Sequence, residues 1–164
     1  MTQAFNIVLA QINPTVGDLP HNLNNILNTW KDAPADADLI VFPEMITCGY
    51  PPEDLVLKPF FMDSVHRAVH TIVKESKGKN TALIIPTPWQ IEGERFNALH
   101  LIHDGKILAT RTKRHLPNYG VFDEQRRFKP GPLPEPVTFK DITLGLMICE
   151  DMWYPDVTAH LKGQ

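Results

Sequence analysis

Three residues of the 164-residue chain have types and settings suited to breaking an amide bond: Glu44, Lys113 and Cys149. Each follows a predicted strand: Leu39 to Phe42 before Glu44, Lys106 to Thr112 before Lys113, and Ile142 to Ile148 before Cys149. Side chains just beyond strand ends are aimed by a rigid element and reached through a loop. A free thiol is only a few per cent thiolate at neutral pH, so a carboxylate able to take its proton raises the supply of nucleophile. Glu44 fits that base. Attack on a carbonyl leaves an oxyanion, for which the Lys113 ammonium and the main-chain amide of Glu150 are candidate donors; losing one such donor typically costs about 3–4 kcal/mol. The same carboxyl group could protonate the leaving amine and then activate water against the thioester.

Each residue also has an ordinary reading. A glutamate after a strand is usually solvated, a lysine there is usually a surface charge, and a cysteine after an apolar run usually packs. What favours chemistry is that a sheet would bring the three strand ends together.

The elements that must do so are legible as a β-α-β-α-β order. Phe5 to Gln11 suits a buried strand ended by Asn13-Pro14. Asp18 and Pro20 signal the start of a helix with Leu23, Ile26, Leu27 and Trp30 on one face. Leu39 to Phe42 is a second strand stopped by Pro43. A second helix is predicted over about Pro59 to Lys77, with Phe61, Val65, Val69, Ile72 and Val73 inward and Gly78 able to cap it. Thr81 to Pro86 reads as a strand. Arg95 to His103 and Lys106 to Thr112 flank Asp104-Gly105, a strong hairpin signal. Lys113 to Pro136 is long and rich in Pro, Gly and charge, a length typical of a functional loop or a disordered one. Val137 to Phe139 and Ile142 to Ile148 then predict a hairpin through Lys140-Asp141 that delivers Cys149 to a strand end, and Asp156 to Lys162 begins a helix. The fold class is therefore layered α/β.

Composition narrows the partners. The net charge of -3 and pI near 6.1 give no basic footprint for nucleic acid. No apolar run approaches the ~20 residues of a membrane span, and the first residues lack a signal-peptide pattern. A cytoplasmic protein with free thiols is expected. Cys48 has neither a strand to aim it nor a donor-rich turn after it, and is read as a packing thiol. His66 and His70 are four apart but lack a third ligand, so surface histidines and no metal site are expected. Arg126, Arg127 and Lys129 read as a solvated basic face.

The segments around the trio carry a resemblance. They are Phe42-Pro43-Glu44; Gly49-Tyr-Pro-Pro-Glu-Asp-Leu55; Thr112-Lys-Arg-His-Leu-Pro-Asn-Tyr-Gly-Val-Phe-Asp-Glu124; and Leu146-Met-Ile-Cys-Glu-Asp-Met-Trp153. Along the whole chain they resemble the nitrilase or carbon–nitrogen hydrolase superfamily. Within it, they are similar to the amino-terminal glutaminase domain of glutamine-dependent NAD synthetases. The resemblance implies an α-β-β-α sandwich, a Glu–Lys–Cys triad at Glu44, Lys113 and Cys149, and glutamine contacts at Tyr50, Tyr119, Phe122 and Glu150. Glu150 suits the α-ammonium by charge. Glu124 matches the second carboxylate of the superfamily, which orients the lysine or the amide.

A domain of this family is longer than 164 residues. The resemblance thus implies that residues 1–164 are the N-terminal part of a glutaminase domain, with the synthetase domain absent. No phosphate-cradling loop of the Ser-Gly-Gly-x-Asp-Ser type is present, so ATP and Mg2+ are expected only in that other domain, and no cofactor is expected in this one. The likeness implies glutamine and the synthetase domain, in cis or in trans, as partners, and a homo-oligomer for the full-length protein. Two other readings stand beside it: a stand-alone amidase of the same superfamily, and a non-catalytic remnant.

Overall fold

The first three strands lie side by side because a helix returns the chain after each of the first two. In the computed structural model, which describes residues 4–163, β1 (Ile7–Leu9), β2 (Leu39–Val41) and β3 (Ala82–Ile91) run parallel. Helix α1 (Leu19–Lys31) links β1 to β2, and α2 (Pro59–Glu75) links β2 to β3. Asp18 caps α1 by accepting from the His21 amide at 3.1 Å, and each helix starts with proline in its first turn, where a missing N–H costs no bond. Ile26 of α1 and Val69 and Ile72 of α2 bury themselves on Ile40, Leu83, Ile85 and Ile102 of the sheet. Burying each side chain of this size contributes about 1.5–3 kcal/mol.

Strands β4 (Glu94–His103) and β5 (Lys106–Thr112) complete a five-stranded sheet in the order β1-β2-β3-β4-β5, with β3, β4 and β5 antiparallel. Both tight turns have two residues at positive φ: Glu92 (51°) and Gly93 (83°), then Asp104 (45°) and Gly105 (75°). This twist suits two-residue hairpins. β3 extends well past the sequence expectation of Pro86. Pro86 and Pro88 sit in phase with Ala82 and Ile84, whose main-chain groups bond toward β2 through Asp38 and Phe42. β2 ends at Val41, so the missing proline amides face a side where no strand remains to accept them.

The opposite face of the sheet, with Leu39, Ala82, Ile84, Leu99 and Leu101, is partly covered by a two-stranded ribbon, β6 (Val137–Phe139) and β7 (Ile142–Leu144). Phe139 enters this core edge-on to Phe5 and His103. Lys140 at the ribbon turn pairs with Asp38 at 2.6 Å, and Arg111 of β5 donates to the carbonyls of Glu135 and Pro136. Helices on one face of the sheet and a β layer beginning on the other give three layers of a nitrilase-type sandwich.

Two expectations are corrected. The Phe5–Gln11 run does not make a buried strand: β1 is a short edge strand with Ile7 51% and Leu9 69% exposed, because it pairs with β2 alone. β7 stops at Leu144 instead of Ile148. Val137 faces Leu144, and the next residue before it is Pro136, which has no amide to extend the ladder. A further segment, α3 (Pro155–Lys162), follows a 3-10 turn at Cys149–Trp153.

Candidate active site

Lys113 continues the register of β5 beyond its last ladder residue. Its amide donates to Asn97 O at 2.8 Å, and its carbonyl accepts from Gly131 N at 2.8 Å, so the main chain is clamped on both sides. Its side chain is 1% exposed and its Nζ lies 2.7 Å from Glu44 Oε1 and 2.9 Å from Glu124 Oε1. Burial alone would pull the ammonium below the ordinary lysine value, but the two carboxylates together outweigh it and hold the group above. Glu124 is raised by burial despite the opposing pull of Lys113. Two acids and one ammonium make the cluster negative overall when all are ionised.

Glu44 leaves the sheet after Pro43, and the chain turns at once through Met45, a buried residue at φ 55°, whose carbonyl accepts from Cys48 and Gly49. Gly49 is required here: at φ 79°, a Cβ would stand 2.7 Å from Val16 Cα. Asn97, fully buried on β4, donates to Glu44 Oε1 at 2.6 Å and reaches Glu124 Oε2 at 3.3 Å. It thus crosslinks both carboxylates while its main chain holds the lysine. Asn97 escapes a sequence reading because it looks like one polar break in an apolar strand; its inward phase with Leu99 and Leu101 is the signal that could have found it.

Cys149 arrives differently from expectation. It opens the 3-10 turn after four residues outside any ladder, with φ at 42°. For a residue with a Cβ, that left-handed conformation costs on the order of 1 kcal/mol. The residue as a whole is exposed, yet its thiol lies within reach of the Glu44 carboxylate. Loss of hydration first, then the charge and acceptor of Glu44, push the thiol up to about 11, with Lys113 opposing. The other thiol, Cys48, is fully buried, pushed up to about 12 by burial, and packs with Met45 and Val56. It matches the expected packing role.

The remaining candidates form one chain of contacts across the mouth. Tyr50 donates to Glu124 Oε1 at 2.8 Å; its ring lies 6.3 Å from Phe122, and Phe122 lies 5.3 Å from Tyr119. Tyr119 in turn donates to Glu150 Oε2 at 3.1 Å. Two residues expected to hold substrate, Tyr119 and Glu150, therefore hold each other in the free chain. All eight sequence-selected residues fall in this one region.

Two ordinary readings are revised. Arg127 is buried and pairs with Glu53, Asp54 and Asp123, pinning the loop that carries Glu124 onto the 3-10 turn Glu53–Leu57. Its apolar neighbour Phe128 belongs to the second core, so the Arg-Arg pair is no plain solvated face. His66 is half-buried, with its ring 4.1 Å from Trp89. Among the described residues, no three His, Cys, Asp or Glu are grouped to hold a metal ion, and no helix is long and apolar enough to cross a membrane.

Comparison with known proteins bears on the family and the fold. The carbon-nitrogen hydrolase family model matches residues 6–164. A glutamine-dependent NAD(+) synthetase of Rhodobacter capsulatus is 40% identical over 99% of this chain, which spans 30% of that relative's length. The structure of a glutamine-dependent NAD+ synthetase from Acinetobacter baumannii, in complex with ADP, superposes with a TM-score of 0.89 at 34% identity, covering 97% of this chain and 30% of its own. An amidase from Nesterenkonia sp. AN1, with a covalent adduct on its active-site cysteine, shares the fold at TM-score 0.83 and 24% identity, over 96% of this chain and 60% of its own. The chain thus spans less than a third of the synthetases it matches and more than half of the amidase, and it belongs to the carbon-nitrogen hydrolase family.

Proposed function

We propose that residues 1–164 are the N-terminal part of a glutaminase domain that releases ammonia from glutamine for a glutamine-dependent NAD(+) synthetase. The observation that carries this reading is the buried Glu44–Lys113–Glu124 cluster beside the Cys149 thiol. In this reading, Cys149 Sγ attacks the side-chain amide carbon of glutamine as its proton passes to Glu44. The oxyanion is held by the Lys113 ammonium and by the main-chain N–H of Glu150, in a first turn where amides lack intrahelical acceptors. Protonated Glu44 gives its proton to the leaving nitrogen, ammonia departs and a glutamyl thioester remains. Glu44 next takes a proton from water, the hydroxide adds to the thioester, and collapse releases glutamate and restores the thiol. Glu124 keeps the ammonium charged and aimed throughout.

Glu150 and Tyr119 would exchange their mutual bond for the α-ammonium and carboxylate of glutamine, while Phe122 and Tyr50 wall the aliphatic stem. The ammonia so formed would serve an ATP-dependent amidation of deamido-NAD in the synthetase domain, where ATP and Mg2+ belong. The stand-alone amidase is less well supported: the amidase likeness stops at 24% identity, against 34–40% for the synthetases.

The test uses the full-length protein that carries this chain. With glutamine and rapid quenching, mass spectrometry should find a glutamyl adduct on Cys149 together with released ammonia. Cys149→Ala should abolish glutamine-driven NAD formation and leave formation from free ammonia intact. Survival of the glutamine-driven reaction in that variant would refute the nucleophile, and turnover of other small amides in preference to glutamine would favour the amidase. The same adduct assay on the isolated 164-residue chain decides whether that piece is catalytic by itself.

A further inference from the structure

Asp151 is 1% exposed and makes no ion pair among the described residues, yet its carboxylate accepts from three main-chain amides. Oδ1 accepts from Arg114 N at 3.0 Å and from His115 N at 2.8 Å; Oδ2 accepts from Ile148 N at 3.2 Å. Arg114 and His115 directly follow Lys113, and Ile148 directly precedes Cys149. One side chain therefore ties the segment leaving the ammonium to the segment entering the nucleophile.

We infer that Asp151 is a positioning residue, which sets the distance between the Cys149 thiol and the Glu44–Lys113 pair by bonding both segments at once. The need for such a tie follows from the topology. Glu44 and Lys113 are mounted on the main sheet, whereas Cys149 follows a ribbon that forms no ladder with it. No main-chain hydrogen bond of the sheet fixes the thiol against its base. The Cys149 backbone also sits in the left-handed region and needs its flanks held. Asp151 does this reciprocally: its own amide donates to Ile148 O at 3.0 Å while its carboxylate accepts from Ile148 N. An asparagine at this position would keep the shape and turn one acceptor into a donor facing an amide donor. A thiol displaced by about 1 Å from its reacting partners can lose on the order of 100-fold in rate.

The inference rests on Cys149 acting as nucleophile with Glu44 as its base, and its test separates the two. Asp151→Asn and Asp151→Ser are made in the full-length protein, with Cys149→Ala as reference. Two quantities are read: steady-state glutamine hydrolysis, and the rate at which iodoacetamide labels Cys149 near neutral pH, followed by mass spectrometry. Expected for a variant with the parent's unfolding temperature is a kcat lower by ~10- to 100-fold, a KM for glutamine within about threefold of the parent, slower labelling, and unchanged synthesis from free ammonia. A folded variant with parental kcat or parental labelling overturns the inference. Failure of both variants to fold, or an equal loss in the ammonia-driven reaction, overturns it as well, since Asp151 would then support the fold at large. If the parent does not hydrolyse glutamine, the glutaminase reading falls while the labelling comparison still decides the role of Asp151.

Discussion

The proposed role of Cys149 starts from a thiol, not a standing thiolate. Its proton-binding is strengthened by lost hydration and by Glu44, so below about pH 11 the protonated form dominates. At pH 8, the ionised fraction is therefore far smaller than for a cysteine at its ordinary value. In the proposed reaction, Glu44 would then receive the proton within the attack itself. The expected outcome is that the ultraviolet thiolate absorbance of the parent minus that of Cys149→Ala is negligible at pH 8 and grows only on strong alkalinisation. A full thiolate signal at neutral pH would mean a preformed ion pair and a different role for Glu44. At this scale, Glu44, Lys113 and Cys149 stood out as candidates because each lies in a distinctive segment after a predicted strand, although the strand before Cys149 ends four residues early. Asn97 and Asp151 were not: one hides as a polar break in β4, and the other looks like a second acid beside Glu150. What makes both matter is the set of amides and carboxylates around them, which is a property of packing.

Elements carry the next level of constraint, and the Lys113 clamp shows it. Gly131 approaches the end of β5 so closely that a Cβ would lie 2.1 Å from Thr112 Oγ1 and 2.7 Å from Thr112 O. Gly131→Ala must therefore push the returning loop off β5 and loosen the carbonyl–amide bond to Lys113. The expected loss is about 1–3 kcal/mol of stability by chemical denaturation, with glutamine turnover falling further than the ammonia-driven reaction. A variant as stable and as active as the parent would show that the loop yields freely. Hairpins were easy to foresee where Asp104-Gly105 supplied the turn, and β5 keeps its expected bounds. The β3–β4 hairpin was harder, since Pro86 and Pro88 argue against a long strand unless one knows which side of it is vacant. β7 was overestimated for the related reason that Pro136 lies on its partner, outside its own sequence.

For the whole molecule, the two faces of the sheet are unequal. One is sealed by α1 and α2, whereas on the other Ile7 and Leu9 of edge strand β1 remain largely exposed, and Met152, Trp153 and Tyr154 are exposed near the 3-10 turn. An open apolar strand edge favours pairing between molecules. The isolated 164-residue chain is expected to self-associate as concentration rises, and Leu9→Lys should reduce that association in light scattering without altering the far-ultraviolet helical signal. Association unaffected by this charge would place the sticky surface elsewhere. Layering and helix placement could be read from the apolar spacing of Ile26, Val69 and Ile72. The exposure of β1 could not, because its residues are as apolar as those of a buried strand and only its neighbours differ.

The prolines of β3 bear on where the sheet stops beside Glu44. Pro43 ends β2, and Pro86 and Pro88 present no amide to the space beyond it, so the sheet has a seam that cannot be zipped along Glu44. The fully buried Thr47 and Thr87 meet there hydroxyl to hydroxyl, 2.7 Å apart, a side-chain rivet where a ladder would otherwise run. The end of the β2–β3 pairing is in this sense a subtraction: three imino acids withhold donors, the ladder stops, and Glu44 follows just past its end. Lengthening the ladder past this point would need both a donor in place of an imino acid and the displacement of a loop whose Met45, Ile46, Thr47 and Cys48 are all buried, so the end of the pairing beside Glu44 is held twice over.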